Sequence, residues 1–200
     1  MHFHLQKIIL ASGSPRRREL MTKIGLNFQY VTSKAKEDMN PNIPIGDLTI
    51  KNAAMKGYDV ANLYDEAFII AADTVVSCEG KVFGKPTGEE DIMNMLQFLR
   101  NKKHQVTTGV AIINKNAALC ERFHKTTDVY FKDYSDEFIK WYIKTDEPFD
   151  KAGSYAIQGK GSLMVEKIDG CYDNVVGLPV AELFERLIKF GVRPGGLNVY

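Results

Sequence analysis

Three consecutive arginines stand at the start of a predicted helix, directly after a short apolar run. Residues 8–10 predict a buried strand, Ser12 to Pro15 a small-residue turn, and Arg16–Arg18 the first helical turn. The helix dipole is positive at that end, so three cations there repel it and one another unless an anion lies among them. Backbone N–H groups, the Ser12 and Ser14 hydroxyls and the guanidinium groups together suit phosphate. The segment therefore predicts a phosphate-binding site; a solvated basic helix start without a ligand is the alternative.

An aspartate follows the most apolar stretch of the chain. Residues 68–72, Phe-Ile-Ile-Ala-Ala, are typical of a central strand covered on both faces. We expect Asp73 at the end of that strand, where α/β proteins place their sites. A buried carboxylate needs a cation or a metal. Lys85, beyond the next hairpin, is a candidate partner, and a purely structural Asp73–Lys85 ion pair is the alternative.

A polar loop and the helix after it carry further charged residues. Glu37 and Asp38 offer the hard oxygen atoms that Mg²⁺ takes together with phosphate oxygens, although acidic loop residues are more often simply solvated. Lys56 lies on a predicted helix next to Ala53 and Ala54, which must face the core. We therefore expect Lys56 near an edge, from which its side chain can extend toward a pocket.

A glycine-rich segment over residues 153–161 surrounds one amide side chain. Glycine lets the backbone approach a ligand closely, and the Gln158 amide offers both a donor and an acceptor, which suits a pyrimidine edge. Residues 174–179 then lead into the last predicted helix. For that turn, a helix-initiating proline with a packing glycine is the simpler interpretation.

The elements that must position these residues mix helices with strands. The predicted helices cover residues 14–24, 47–63, 89–101, 135–144 and 179–190; the predicted strands cover residues 8–10, 28–32, 68–72 continuing to 75–76, 82–83, 106–113, 117–131 and 163–168. Ser14 and Pro15 are typical of a helix start, and Thr87 with Glu90 predicts a capping box. The order indicates an α/β fold, bordering on α+β, with a curved mixed sheet flanked by helices.

Composition and charge exclude several classes of function. The 200 residues include 26 Lys and Arg against 25 Asp and Glu, a formal net charge of +1. A nucleic-acid or membrane-surface protein needs a wide basic field, which this balance does not provide. No apolar run approaches the ~18 residues of a membrane span, and the amino terminus lacks the apolar core of a signal peptide. We expect neither nucleic acid nor membrane as a partner.

The cysteines and histidines give no sign of a disulfide framework or a metal centre. Cys78, Cys120 and Cys171 are far apart and show no paired spacing. Free thiols of this kind suit a reducing cytoplasm. The scattered histidines predict no metal pair: His2, His4, His104 and His124.

Taken together, these motifs resemble the Maf family of nucleoside triphosphate pyrophosphatases. The resemblance runs from Ile9 to about Val192, and it is the joint occurrence of the motifs, in order, that is specific. They are Ala11–Arg17 (ASGSPRR), Glu37, Ala53 with Lys56, Ala72–Val76 (ADTVV), Gly84–Pro86 (GKP), Asp150–Gly153 (DKAG), Tyr155–Gly159 (YAIQG) and Asn174–Pro179 (NVVGLP). The glutamine in YAIQG is similar to the subfamily acting on dTTP and UTP rather than on 7-methyl-GTP.

The resemblance implies a fold and an activity. The fold is Maf-like and similar to that of inosine triphosphatase, with two lobes that share a central sheet and a cleft between them, in a single domain over residues 1–200. The activity is hydrolysis of a nucleoside triphosphate to the monophosphate and pyrophosphate, with Mg²⁺ or Mn²⁺. The family also suggests a cytoplasmic homodimer.

Site roles follow from the same resemblance. The triphosphate binders are Ser12, Arg16 and Arg17, the base-side contacts are Thr74 and Gln158, and the catalytic set is Glu37, Lys56, Asp73 and Lys85, with Glu37 and Asp73 as metal ligands. Two departures stand out. Gly57 replaces the alanine usual after the lysine, and residues 34–36 are basic where acids are commoner, which weakens the expected metal surroundings.

A different class of function is a nucleotide-binding regulator of cell division or septum formation without significant catalysis. The same cations would serve binding alone. Glu37 and Asp73 favour an enzyme, because acids beside a polyanion repel it unless a metal lies between them.

Overall fold

A computed structural model describes residues 6–40 and 42–194, so His2 and His4 lie outside the described residues. The chain separates into two compact units. The first unit comprises Met1–Asp73, Thr108–His124 and Gly177–Tyr200, and the second comprises Thr74–Thr107 and Lys125–Val176. The single domain over residues 1–200 stays a prediction.

The strands of the described residues form one mixed sheet. They are β1 (Ile8–Leu10), β2 (Gln29–Tyr30), β3 (Phe68–Cys78), β4 (Lys81–Phe83), β5 (Lys103–Asn114), β6 (Leu119–Phe131) and β7 (Val165–Asp169). The strand order is β2-β1-β3-β5-β6-β7, with β4 paired to β3. β1 is parallel to β2 and β3, whereas the β3–β4 and β6–β7 pairs are antiparallel. The predicted α/β class with a mixed sheet is confirmed.

The described helices are α1 (Pro15–Lys23), α2 (Ile45–Ala61), α3 (Glu89–Leu99), α4 (Asp136–Ile143), α5 (Tyr172–Val176) and α6 (Val180–Lys189). All but α5 were predicted, with ends within two residues of those observed. Short 3₁₀ turns occupy Glu147–Asp150, Ala152–Ser154 and Lys160–Met164. Within the described residues, no helix is both long and apolar enough to cross a bilayer.

The sequence predicts N-terminal caps for helices α1 and α3, and the structure confirms one of the two. The Ser14 side chain accepts a hydrogen bond from the Arg17 backbone N–H at 3.4 Å, as the sequence predicts. The predicted capping box of α3 is wrong. Gly88 is the N-cap residue, and the Thr87 N–H and hydroxyl instead donate to the Asp91 carboxylate at 3.0 and 3.2 Å. The helix begins one residue later than the box requires, so the contact moves from Glu90 to Asp91.

Asp73 lies within β3 and not at its end, which corrects the prediction. The strand continues to Cys78 because it forms a hairpin with β4. Its parallel neighbour β1 stops earlier, with Leu10 opposite Ile70. Asp73 therefore lies beyond the last residue that β1 pairs, and this opening in the ladder leaves room for polar partners.

Helix α2 packs directly on the sheet of the first unit because two glycines allow it. A Cβ atom at Gly109 of β5 would overlap the backbone of Thr49 and Ile50. On α2, a Cβ atom at Gly57 would lie 2.7 Å from the Ile113 Cδ1 atom. An alanine at residue 57 would therefore require the end of the Ile113 side chain to shift.

Each unit has its own apolar core. The core of the first unit includes Ile9, Val60, Ile69 and Ile113. The core of the second unit is richer in aromatic side chains and contains Phe131, Tyr142 and Tyr155.

A histidine lies buried in the second core. His104 is 1% exposed, its Nε2 atom is 2.8 Å from the Tyr155 hydroxyl, and its ring meets Phe131 edge-on at 4.6 Å between centroids. Burial lowers the pKa of His104 to about 4, although the charge of Asp128 acts in the opposite direction. The folded protein therefore holds this imidazole neutral.

The buried imidazole predicts loss of stability on acidification. An unfolded histidine binds its proton near pH 6.5, whereas the folded protein resists protonation until about pH 4. The free energy of unfolding should therefore fall as the pH drops through this window, in total by on the order of 3 kcal/mol from this residue. Urea unfolding of the wild type and His104→Gln at several pH values measures the difference; the same slope in both proteins would contradict the prediction.

Candidate active site

The polar centre of the first unit is Asp73, which is 4% exposed. Its Oδ1 atom accepts a hydrogen bond from Lys56 Nζ at 2.6 Å, and its Oδ2 atom accepts one from Asn52 Nδ2 at 3.1 Å. Both donors belong to α2 and are separated by one helical turn. Lys56 thus places a cation in direct contact with Asp73.

A second carboxylate shares the same ammonium group. Lys56 Nζ also lies 2.6 Å from Glu37 Oε1. The lysine side chain is 15% exposed, whereas that of Glu37 is 49% exposed, so the shared cation joins a buried acid to one that faces solvent. The two carboxylates and the one ammonium together carry a net negative formal charge. This charge favours a further cation at the site when a polyanion binds.

Polar residues of α2 hold the loop that carries Glu37. The Asp38 backbone N–H donates to Asn52 Oδ1 at 2.8 Å, and Asn52 Nδ2 donates to the Asp38 carbonyl at 3.0 Å. At the other end of the loop, the Ser33 hydroxyl and the Lys34 N–H donate to Asp59 Oδ2 at 2.8 and 2.7 Å. These hydrogen bonds lower the pKa of the Asp59 carboxyl.

The other loop acid takes a different partner. Asp38 Oδ2 lies 2.6 Å from Lys51 Nζ, and this hydrogen bond is the main reason that the pKa of Asp38 is lowered. Of the two acids that the sequence singles out in this loop, the structure therefore brings Glu37 to the ammonium of Asp73 and pairs Asp38 elsewhere.

The arginine segment lies within the same unit. Ser12 is buried, and its Oγ atom accepts a hydrogen bond from the Ser14 N–H at 3.2 Å and contacts Arg17 Nη1 at 3.5 Å. Arg17 Nε donates to the Gly177 carbonyl at 2.8 Å, which ties the arginine to the turn before α6. The Arg18 guanidinium instead stacks over the Tyr30 ring at 4.3 Å.

Electrostatics connect Arg17 to the carboxylates. Burial lowers the pKa of Arg17, and the charge of Arg16 lowers it further, whereas the charges of Asp73 and Glu37 raise it. The charge on Arg17 therefore interacts with the charges of Arg16, Asp73 and Glu37. Apart from Lys85, the charged residues predicted for the site all belong to the first unit.

The remaining predicted residues belong to the second unit. Thr74 is half-buried in β3, Lys85 is exposed after β4, and Gln158 is exposed in the turn before the last 3₁₀ segment. The Gly153 N–H donates to the Gly84 carbonyl at 3.1 Å. The glycine-rich segment and the segment with Lys85 are therefore joined by a backbone hydrogen bond.

Sequence reasoning missed Asn52 and Asp59. They precede and follow Lys56 by four and three residues, a spacing that places all three on one face of a helix. That spacing was the available signal. The hydrogen-bond partners of Asn52 could not be predicted, because they are 14 and 21 residues away in the chain.

The donor set fits a divalent cation. Glu37 and Asp73 supply hard oxygen atoms next to one shared ammonium, and Mg²⁺ typically takes one or two carboxylates together with phosphate oxygens. Within residues 6–40 and 42–194, no group of three or more His, Cys, Asp or Glu residues forms a metal cage of protein ligands alone. A cation held there would take its remaining ligands from water or phosphate oxygens.

Comparison with known proteins finds relatives that match most of the chain. The "dTTP/UTP pyrophosphatase" of Carboxydothermus hydrogenoformans is 48% identical over 92% of this chain and 99% of that protein. The proteins of the same name from Caldicellulosiruptor saccharolyticus and Bacillus cereus are 44% and 43% identical, each over 94% of this chain and 96% and 97% of their own length. The solved structure of the Staphylococcus aureus Ham1 protein is similar with a TM-score of 0.43 and 16% identity, over 64% of this chain and 73% of that one.

A family model described as "Maf-like protein" matches residues 7–190, which is nearly all of the chain. The match includes every segment of the candidate site. The chain belongs to the Maf-like protein family.

Proposed function

We propose that this protein hydrolyses dTTP and UTP to the nucleoside monophosphate and pyrophosphate. The relatives named above support the substrate class. The observation that carries the proposal is the Lys56 ammonium shared by Glu37 and Asp73, in the unit that also holds Ser12, Arg16 and Arg17.

In the proposed reaction, Asp73 is the general base. It takes a proton from a water molecule whose oxygen forms a bond to the α-phosphorus, while the bond from that phosphorus to the bridging oxygen breaks and pyrophosphate leaves. Lys56 and Asn52 hold the carboxylate by one oxygen each. A base held in a fixed orientation needs little rearrangement during proton transfer.

Cations would stabilise the charge that develops on the leaving group. We assign this role to Arg16, Arg17, Lys56 and Lys85, with the Ser12 hydroxyl as a further phosphate contact. The Ser12–Arg17 and Arg17–Gly177 contacts already restrain one guanidinium. Thr74 and Gln158 would contact the base.

Glu37 and Asp73 would hold Mg²⁺ or Mn²⁺. When bound, the cation would draw charge from the α-phosphate and lower the pKa of the attacking water. A nucleotide-binding regulator would need only the cations. The presence of two acids, the buried Asp73 and the exposed Glu37, at the proposed phosphate site favours a hydrolase over such a regulator.

The decisive experiment is a panel of nucleoside triphosphates with Mg²⁺ or Mn²⁺, assayed separately for pyrophosphate and orthophosphate. We expect pyrophosphate from dTTP and UTP, much less from purine nucleotides, and none after chelation with EDTA. Orthophosphate as the main product would indicate cleavage at a different phosphate and would contradict the proposal.

Cellular location and assembly extend the proposal. Cys78, Cys120 and Cys171 are all free thiols, which supports a reducing compartment such as the cytoplasm. The homodimer implied by the family resemblance stays a prediction, which light scattering on the purified protein would test.

A further inference from the structure

One carboxylate organises the glycine-rich segment of the second unit. Glu147 follows α4, and its Oε1 atom accepts hydrogen bonds from the Tyr142 hydroxyl at 2.8 Å and the Gly161 N–H at 3.0 Å. Its Oε2 atom accepts one from the Lys160 N–H at 2.9 Å. The donors described for Glu147 are thus one hydroxyl and two backbone N–H groups. Hydrogen bonds of this kind hold the backbone at residues 160 and 161 in place.

The other side of the segment is held by Tyr142. This side chain is 0% exposed, and its hydroxyl oxygen accepts a hydrogen bond from the Ala156 N–H at 3.2 Å. Burial raises the pKa of Tyr142, so the hydroxyl keeps the proton that it donates to Glu147. Tyr142 and Glu147 therefore hold residues 156, 160 and 161 as one network.

Two glycines fit tightly around this network. A Cβ atom at Gly159 would overlap the Glu147 carboxylate. A Cβ atom at Gly161 would lie 2.8 Å from the Tyr142 hydroxyl and from the Ala156 backbone. Gly161 is thus needed by the protein itself, because a side chain there would overlap the Ala156 backbone. At Gly159, a side chain would displace the Glu147 carboxylate.

Gln158 lies between the anchored positions. It is exposed, and the backbone is held at residue 156 before it and at residues 160 and 161 after it. Its amide can select a base only if the backbone presents it in one orientation, since an amide on a loose turn can donate or accept in several directions.

We infer that Glu147, together with Tyr142, is a positioning residue for base selection: it fixes the turn that presents Gln158 to the pyrimidine. This inference rests on the proposed function and deepens it, because it assigns substrate discrimination to a residue that touches neither phosphate nor metal. The Glu147→Gln variant keeps the size of the side chain but replaces one acceptor oxygen by a donor that faces a backbone N–H. The turn should then loosen.

The test compares kcat and KM for dTTP and GTP in the wild type, Glu147→Gln, Gln158→Ala and the double variant. We expect KM for dTTP to rise about tenfold in Glu147→Gln with kcat changed less than about threefold, and the dTTP-over-GTP preference to shrink similarly. If Glu147 acts through Gln158, the double variant should lose no more preference than Gln158→Ala alone. Glu166→Gln, an exposed change on β7 of the same unit, is the matched control.

Several results would overturn the inference. A folded Glu147→Gln protein with unchanged preference would do so, and so would additive losses in the double variant. If Glu147→Gln does not fold, Tyr142→Phe removes one hydroxyl without changing the ring and should reduce the preference in the same way; unchanged preference there counts equally against it. A wild type that releases no pyrophosphate from any nucleotide would instead refute the proposed function, and the inference with it.

Discussion

Replacing Asp73 by asparagine is expected to lower kcat for dTTP at least about 100-fold, the usual contribution of a general base. The amide has nearly the same shape and can still accept a hydrogen bond from Lys56, but it cannot take a proton from water. The effect should therefore appear in kcat more than in KM. Steady-state measurement of pyrophosphate release gives both values.

The matched control is Asp38→Asn. It makes the same chemical change one residue after Glu37, at a carboxylate that pairs with Lys51 instead of Lys56. We expect kcat to stay within about threefold of the wild type, since this carboxylate takes no part in proton transfer. Near-normal pyrophosphate release from the Asp73→Asn enzyme would show that another group is the base.

Removal of the shared cation should have the largest effect on stability. In Lys56→Met, Asp73 keeps its hydrogen bond from Asn52 but loses its charged partner while remaining almost fully buried. Leaving a buried charge without its partner costs about 3 kcal/mol or more. We expect a loss of this size in the free energy of unfolding at pH 7, measured by urea denaturation.

A second substitution separates the charge effect from lost packing. In the double variant Lys56→Met with Asp73→Asn, the buried group is neutral, so most of the lost stability should return. Lys51→Met removes the other cation from α2, whose side chain and that of its partner Asp38 are 51% and 26% exposed; this variant should lose much less stability than Lys56→Met. Equal losses in Lys56→Met and in the double variant would mean that packing dominates.

Local signals were predicted best. The Ser14 cap of α1 depends on residues next to one another in the chain, and the structure confirms it. The apolar run of residues 68–72 correctly predicted a buried strand, and its predicted continuation to residues 75–76 ends two residues before the observed end at Cys78. Asp73 and Thr74 interrupt the apolar pattern, and the last residues of the strand, from Val76 to Cys78, pair with β4.

Contacts between distant residues were harder to foresee. The neighbouring alanines predicted that Lys56 extends from an edge toward a pocket, and the family resemblance grouped it with Glu37 and Asp73. The two direct contacts of its ammonium depend on how α2 packs against β3, which no local pattern gives. The role of Glu147 was missed entirely. Its partners include backbone N–H groups, which every residue except proline possesses and which leave no trace in a sequence pattern.

The close contact between Gly57 and Ile113 has a consequence for protein engineering. Alanine is favoured over glycine by about 1 kcal/mol inside a helix, so residue 57 is an obvious target for thermostabilisation. The Ile113 side chain occupies the space needed for that methyl group. Gly57→Ala therefore requires the Ile113 Cδ1 atom to move. A paired Ile113→Val change would remove that atom, at a packing cost of about 0.5–1.5 kcal/mol that offsets much of the gain.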